Sequence, residues 1–463
     1  MTIREHGRLD PSDSVEVALV DWLANEASQA PAGLAEQVMR ATAHLPQRSP
    51  WIDLRGPRLR PRRVAFALAL GAAVVVLVSL VAAVVLPRLD PGPARPLVPA
   101  GELMEPRAGH TATRLPDGRV LIVGGVTRDR SVARAELWDP RTRSFEPAGT
   151  LVEPRISHTA SLLPDGRVLV VGGTLARPEG SAELTIFASA EVWDPTSRSF
   201  SPAGTLAQPR VSHTATSLPD GRVLIAGGRS DSRDSVGLAS VEIWDPSTSA
   251  FTAAGEMVHS RASHTATLLQ DGRVLVVGGN QRRPPQPQEE LRSAEVWSPA
   301  TGAFELTGMM AIGRMHHMAL LLNDGRVVVV GGTQGSPATD VIEAWDPRTG
   351  SFSAAGTVGR EGWIIEWQQA VTLEDGRVAV ISPTDEPTIE IWDPSVEAVT
   401  ATVRLPERRM LHSATVLPGG RILVVGGLDT NPADGERPEG ELPVLGSALL
   451  WDPSAPLASA ELR

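Results

Sequence analysis

Seven copies of one unit predict an all-β protein, a seven-bladed β-propeller, and three features of the 463-residue sequence carry that expectation. A motif of the form His264–Gly279, HTATLLQDGRVLVVGG, recurs with its first residue at His110, His158, His213, His264, His317, Gln368 and His412. A Trp-Asp-Pro phrase follows at Trp138, Trp193, Trp244, Trp345, Trp392 and Trp451, with Ser for Asp after Trp297. The copies lie between 44 residues (Gln368 to His412) and 55 residues (His158 to His213) apart, a propeller-blade period rather than a helical-repeat one.

Each part of the unit has a physical reading. HTATLL is a short strand, and Gln-Asp-Gly-Arg is a tight hairpin in which Gly272 takes positive φ. RVLVV is apolar at every position, so both faces of that strand are expected to be buried, as stacked blades require. Gly278 and Gly279 end it where the backbone bends or packs closely. SAEVW is a third strand, Ser-Pro-Ala-Thr-Gly the next turn, and AFELTG a fourth strand, giving four antiparallel strands per unit.

Paired glycines after an apolar strand, followed by an aromatic and an Asp-Pro turn near a fifty-residue period, resemble the kelch repeat. The resemblance covers roughly residues 97–453, with both signatures recurring together. WD-repeat propellers also carry Trp-Asp, but their units are shorter and lack the double glycine. One departure stands out: the kelch fourth strand usually carries Trp, and here that place holds Phe145, Phe200, Phe251, Phe304 and Phe352.

Composition narrows the function classes. A formal charge of −11 argues against a general nucleic-acid binder. There is no Cys, hence no disulfide, thiolate metal site or cysteine nucleophile. Tyr is absent too, and every basic residue counted is Arg, a bias that fits a GC-rich bacterial genome.

Residues 1–50 read as a small helical region. Asp10-Pro11 opens one helix with Val15, Leu19, Trp22 and Leu23 on one side, and Pro31 restarts another through Leu34, Val38 and Met39, ending before Pro46. A structured tail is the plainer reading; an anti-sigma-like module is the sharper one, though without Cys to complete the zinc site of many such modules. Five arginines in Arg55–Arg63 then abut Val64–Leu86, a run of 23 uncharged residues. As a helix that run is roughly 34 Å long, enough to cross a bilayer. It is too long and too far from Met1 for a signal peptide. The positive-inside rule places residues 1–63 in the cytoplasm, 64–86 in the membrane and the rest outside. Residues 87–96, with four prolines, form a semi-rigid spacer.

Leu97-Val-Pro-Ala-Gly-Glu-Leu103 repeats the fourth-strand phrase Phe145–Leu151 but has no first three strands before it. The last unit ends its third strand at Trp451, and the tail 454–463 fits a fourth strand poorly. The N-terminal strand is therefore expected to complete the last blade and close the ring.

The first-to-second and third-to-fourth turns share one face and are short and repetitive. The other face carries the variable connections, longest after Gly173, Gly228, Gly279 and Gly427, with mixed charge at Arg177, Glu179, Asp231, Arg233, Arg282, Arg283, Glu436 and Arg437. Recognition is expected on that face. The six repeated histidines sit too far apart around a ring to share one ion and read as strand-start hydrogen-bonding groups. The arginines three residues earlier (Arg107, Arg155, Arg210, Arg261, Arg314, Arg409) read the same way. The aspartates of the first turn, Asp117 through Asp375, read as turn residues.

Blade six departs from the pattern. Gln368 replaces the His, Ile365 the Arg, and Ser382-Pro383 the double Gly, while Trp363 and Trp367 flank Glu366 on the approach to its first strand. Trp363, Glu366, Trp367, Arg282 and Arg283 are the candidate ligand-binding residues, and degenerate core filling is the plainer account of the two tryptophans. Copper-radical galactose oxidases use a kelch-like propeller with Tyr and Cys at the metal, and this chain has neither. A sialidase-like enzyme wants a Tyr nucleophile, and no Gly-x-Ser-x-Gly, His-Glu-x-x-His or phosphate loop appears. The reading is a membrane-anchored, non-enzymatic scaffold without cofactor or metal, binding a protein or carbohydrate. A glycan-active enzyme and a signalling protein are the alternatives.

Overall fold

The computed structural model describes residues 97–453 except 129, 177–184, 231–236, 283–287, 334–338, 360–368, 383–386 and 430–442. Seven four-stranded antiparallel sheets form the blades of one propeller. Blade 1 runs Thr111–Arg114, Val120–Val123, Arg134–Asp139 and Ser144–Thr150 from the axis outward. Blades 2 to 6 repeat this order from Thr159, Thr214, Thr265, Met318 and Gln369. Blade 7 takes Ser413–Val416, Ile422–Val425 and Ser447–Trp451, and its outer strand is Val98–Glu102.

That outer strand comes from the other end of the domain, as expected. Val98 pairs with Leu450 and Pro99 with Leu449, and the Leu103 amide donates to the Gly446 carbonyl at 2.8 Å. The ring is closed by hydrogen bonds between the two ends of the propeller, and the outer edge of blade 7 is covered.

The core lies between blades, which explains the doubly apolar second strand. Val120 and Ile122 pack with Leu423, Val425 and Trp138 toward blade 7, while Leu121 and Val123 pack with Val168, Val170 and Trp193 toward blade 2. All four residues of the strand are fully buried. The seven repeated tryptophans fill the same layers, each at most 1% exposed. Trp138, Trp193 and Trp244 donate their indole N–H to the carbonyls of Ala100, Ala148 and Ala203 on the preceding blade, at 2.7–2.9 Å. Phe145 is the backbone partner of Trp138 and packs half-buried beside it. Trp–Phe is thus the aromatic pair of the outer layer in this blade.

The double glycine marks a close approach. A Cβ on Gly278 (φ +60°) would fall 2.7 Å from the Arg314 carbonyl oxygen, and one on Gly279 (φ +87°) 2.5 Å from that of Ala262. Both positions therefore exclude side chains.

Among the described residues no helix is long and apolar enough to cross a membrane. The helical reading of residues 1–50, the run 64–86, the spacer 87–96 and the tail 454–463 all lie outside the described residues, as do Arg177, Glu179, Asp231, Arg233, Glu436 and Arg437.

Candidate functional site

The repeated polar residues are architecture, and their partners are now specific. Five of the six blade-starting histidines reach back to the preceding blade. Nε2 of His158, His213, His264 and His317 shares a hydrogen bond with Oγ1 of Thr111, Thr159, Thr214 and Thr265 at 2.9–3.1 Å. His110 closes the ring on the Ser413 hydroxyl at 2.8 Å. These rings are kept neutral. Burial, aided by the neighbouring arginine, pushes His110, His158, His213 and His317 down to about 3.

The arginines pin the crossing from one blade to the next. Arg261 donates Nη1 to the carbonyls of Gly278 (2.7 Å) and Ser293 (3.1 Å), and Nη2 to Glu295 at 2.6 Å. Glu295 also accepts the amides of Val258 and His259. The same buried pair recurs as Arg107–Glu136, Arg155–Glu191, Arg210–Glu242 and Arg314–Glu343, at 2.6–2.8 Å. The glutamate of SAEVW is the partner that the sequence reading missed. Blade 7 carries Leu449 in that column, and Arg409 turns to Glu407 and Ser447 instead. The first-turn aspartates hold their own hairpins: Asp271 accepts the Arg273 amide at 3.0 Å and pairs with its guanidinium.

With those residues assigned, one place remains where the blades differ. A cavity of about 500 Å³ opens at the axis on the face of the variable connections, the face expected for recognition. Two columns of the repeat shape it. The residue before the blade-starting histidine is left-handed, with φ of 52–57° at Ser157, Ser212, Ser263, His316 and Leu411. Strained non-glycine backbone of this kind clusters at ligand sites. The residue after the double glycine is Val126, Thr174, Arg229, Asn280, Thr333 and Leu428 in blades 1 to 5 and 7. In both columns blades 2 to 5 are polar, whereas blades 7 and 1 carry Leu411, Leu428, Gly109 and Val126. The mouth thus has a polar arc and an apolar arc.

The cavity lies against the polar arc. Arg229, Asn280, His316 and the serines 157, 212 and 263 line it, with Gln288, Gln369, Met315 and Met318 at its flanks. No carboxylate is among the described lining residues, and Arg229 is the cation there. Gln369 and Met318 occupy the column that elsewhere holds the hydroxyl partner of the next histidine. The His–hydroxyl link is therefore missing from the 6–7 seam, and His412 bonds the Arg409 carbonyl instead.

Arg282 stands half-buried on a two-stranded ribbon, Asn280–Arg282 with Gln288–Glu290, as the backbone partner of Gln288. It is not one of the described lining residues. Arg283, Trp363, Glu366 and Trp367 lie outside the described residues. The polar arc was open to sequence reasoning: setting the copies in register shows Ser, Ser, Ser, His in one column and Thr, Arg, Asn, Thr in another. Reading only for what recurs hides it.

Comparison with known proteins agrees with the fold. The KLHDC2/KLHL20/DRC7 Kelch-repeats domain matches residues 109–332, and the Kelch motif matches 314–358. Two galactose oxidase sequences of Gibberella zeae are 32% identical over 119 residues, which is 24% of this chain and 18% of theirs. The chain thus spans less than a fifth of the length of these relatives. A fungal alcohol oxidase of the AA5 family, in complex with copper, superposes with a TM-score of 0.58 over 79% of this chain and 77% of that one at 17% identity, a likeness of fold alone. The kelch matches over residues 109–358 and the seven four-stranded sheets together support a kelch-type β-propeller.

Proposed function

We propose that the chain is a binding scaffold that meets a protein or glycan with the variable face of its propeller. The observation that supports this most is the asymmetry of the mouth. The repeated histidine, arginine, glutamate and tryptophan hold blades together, while the two columns at the axis vary from blade to blade and gather polar groups on one side. Kelch propellers commonly bind proteins, which favours the reading coarsely. The proposal keeps Arg282, Arg283, Trp363, Glu366 and Trp367 as candidate binding residues on the strength of the sequence.

Copper-radical oxidation is not part of the proposal. The chain contains neither Tyr nor Cys. The imidazoles nearest the axis, His213, His264 and His317, each hold a neighbouring hydroxyl, so this donor set does not fit that centre. The proposal also includes the anchor: Val64–Leu86 crosses the membrane, residues 1–63 stay in the cytoplasm and the propeller stands outside.

Two experiments test this. Protease added to intact cells is expected to release a propeller-sized fragment and leave residues 1–63 protected. Binding measured on glycan and protein arrays is expected to vanish with Ser212→Arg, which fills the mouth, and to survive Asp139→Ala on the opposite face. The reverse pattern would reject the binding face.

A further inference from the structure

We infer that the mouth cavity takes a sugar acid, its carboxylate seated on Arg229 and its hydroxyls on the polar arc. This deepens the binding reading and rests on it.

The arginine comes first. Its backbone is held in a bridge to Val211, with N–H···O distances of 3.0 Å both ways. That fixes the base of the side chain at the cavity wall. Among the described residues no carboxylate pairs with it, and its Nε is buried without a protein partner. Five of the six seam arginines have a buried glutamate within 2.8 Å, and Arg409 pairs with Glu407 at 3.1 Å. Arg229 differs from them in position and in having no carboxylate partner among the described residues. Asn280 Oδ1, on the next blade and lining the same cavity, is likewise buried with no protein partner. Unpartnered Nε atoms also occur at the seam arginines Arg210, Arg261, Arg314 and Arg409, so the signal here is the placement. A guanidinium with no described carboxylate partner and the unpartnered Asn280 Oδ1 both line a cavity that a group from outside can enter.

The kind of group follows from the lining. One guanidinium and no described carboxylate select an anion, and a planar guanidinium matches a carboxylate in two parallel bonds. The protein as a whole carries −11, so a diffuse attraction for anions is not the source of that selection. Around Arg229 the remaining groups are neutral and two-sided. Ser212, Ser263, Asn280 and Gln369 each both donate and accept, as the hydroxyls of a polyol do. Met315 and Met318 offer a deformable apolar wall for the C–H face of a ring. An acidic peptide with several carboxylates would instead call for several cations. About 500 Å³ is room for a small saccharide.

The test is calorimetric titration of the full-length chain with D-glucuronate, with D-glucose, which differs at the carboxylate, and with a Glu-Gly-Glu peptide blocked at both ends. Glucuronate is expected to bind at least about tenfold more tightly than glucose. Arg229→Gln should weaken glucuronate about 10–100-fold and glucose by much less, so that the preference between them is lost. Arg119→Gln, on the opposite face, should change neither. Thermal melting of Arg229→Gln controls for folding, and Arg229→Lys, which keeps the charge, should retain part of the preference. Equal binding of glucuronate and glucose, or an Arg229→Gln chain that binds like wild type, overturns the inference. Peptide binding tighter than glucuronate and lost in Arg229→Gln overturns the sugar acid but keeps the mouth as a binding face. Failure of all three ligands overturns the inference, and the array experiment with Ser212→Arg then judges the binding face separately.

Discussion

The seam between blades 3 and 4 and the seam between blades 5 and 6 use the same columns of the repeat with different residues. At the first, His264 meets Thr214, Arg261 meets Glu295, and Glu295 receives two amides of the crossing chain. At the second, Met318 stands where Thr214 does, and the sequence supplies Gln368 for the histidine and Ile365 for the arginine. Yet the apolar layer there is complete: Leu322, Val328, Val330 and Ile342 pack with Ala370, Val380 and Trp392. One polar link is kept there as well, since Glu390 accepts the Gly359 amide at 2.6 Å; what differs is that Met318 replaces the hydroxyl partner. The second seam also adjoins the mouth, where Met318 and Gln369 line the cavity.

The largest expected effect comes from breaking a regular seam at its backbone. Deleting residues 97–103 removes the outer strand of blade 7 and unlocks the circle between blades 7 and 1, where His110 meets Ser413. The truncated chain is expected to melt far below wild type or to fail to fold, whereas deletion of 455–463 should change little. Equal melting temperatures for the two truncations would contradict the closure.

Acid should dissolve the polar links at every regular seam together. The six buried histidines have folded-state values pushed below the ordinary 6.5, to about 3 for four of them, to about 4 for His412 and well below 6.5 for His264, by burial first. Above 6.5 the rings are neutral folded or unfolded, and they contribute no pH dependence. Below it the unfolded chain binds protons that the folded chain refuses, so stability falls as the pH drops from about 6.5 toward 4. At pH 5.5 the loss is on the order of 1 kcal/mol per ring. Melting temperatures across pH 5 to 7.5 check this, in a range where carboxylates barely titrate. A flat profile would mean that the rings are solvated.

Removing one buried cation sharpens the contrast between seams. Arg261→Ala strands Glu295, which is fully buried, and is expected to cost about 3–5 kcal/mol. Chemical denaturation measures it. A cost below about 1 kcal/mol would mean that the crossing chain, not the guanidinium, holds Glu295.

Most of the propeller is written in the sequence as recurrence. The doubly apolar second strand, the glycine pair and the orphan phrase Leu97–Leu103 each encode a packing fact that repeats, and repetition makes a short signal strong. The Arg–Glu pairs were half visible: the arginine recurs in one segment and the glutamate some thirty residues later, and only the three-dimensional crossing joins them. The mouth was the least visible because it is encoded by difference. Arg229 and Asn280 follow two glycines as any loop residues might, and nothing local says that they point at one cavity. Trp363 and Trp367, by contrast, draw attention by departing from a pattern.

Those two tryptophans give the smallest expected change in stability, and they bear on the second seam directly. They sit in the sequence between the outer strand of blade 5 and the inner strand of blade 6, four residues apart with Glu366 between them. The described residues on both sides of the seam form a buried apolar layer. If they serve the face rather than the core, they form an aromatic platform beside the mouth, suited to stacking on a sugar ring or gripping a partner's side chain. Replacing both with Ala is then expected to abolish binding and to move the melting temperature by no more than about one or two degrees. If they fill the core, the same change removes about 3–5 kcal/mol for each buried aromatic, and the chain melts early. The melting curve of Trp363→Ala/Trp367→Ala separates the two before any ligand is identified. A large drop would show that blade six merely repairs its seam with tryptophan, and the contrast between the two seams would shrink to a difference of filling.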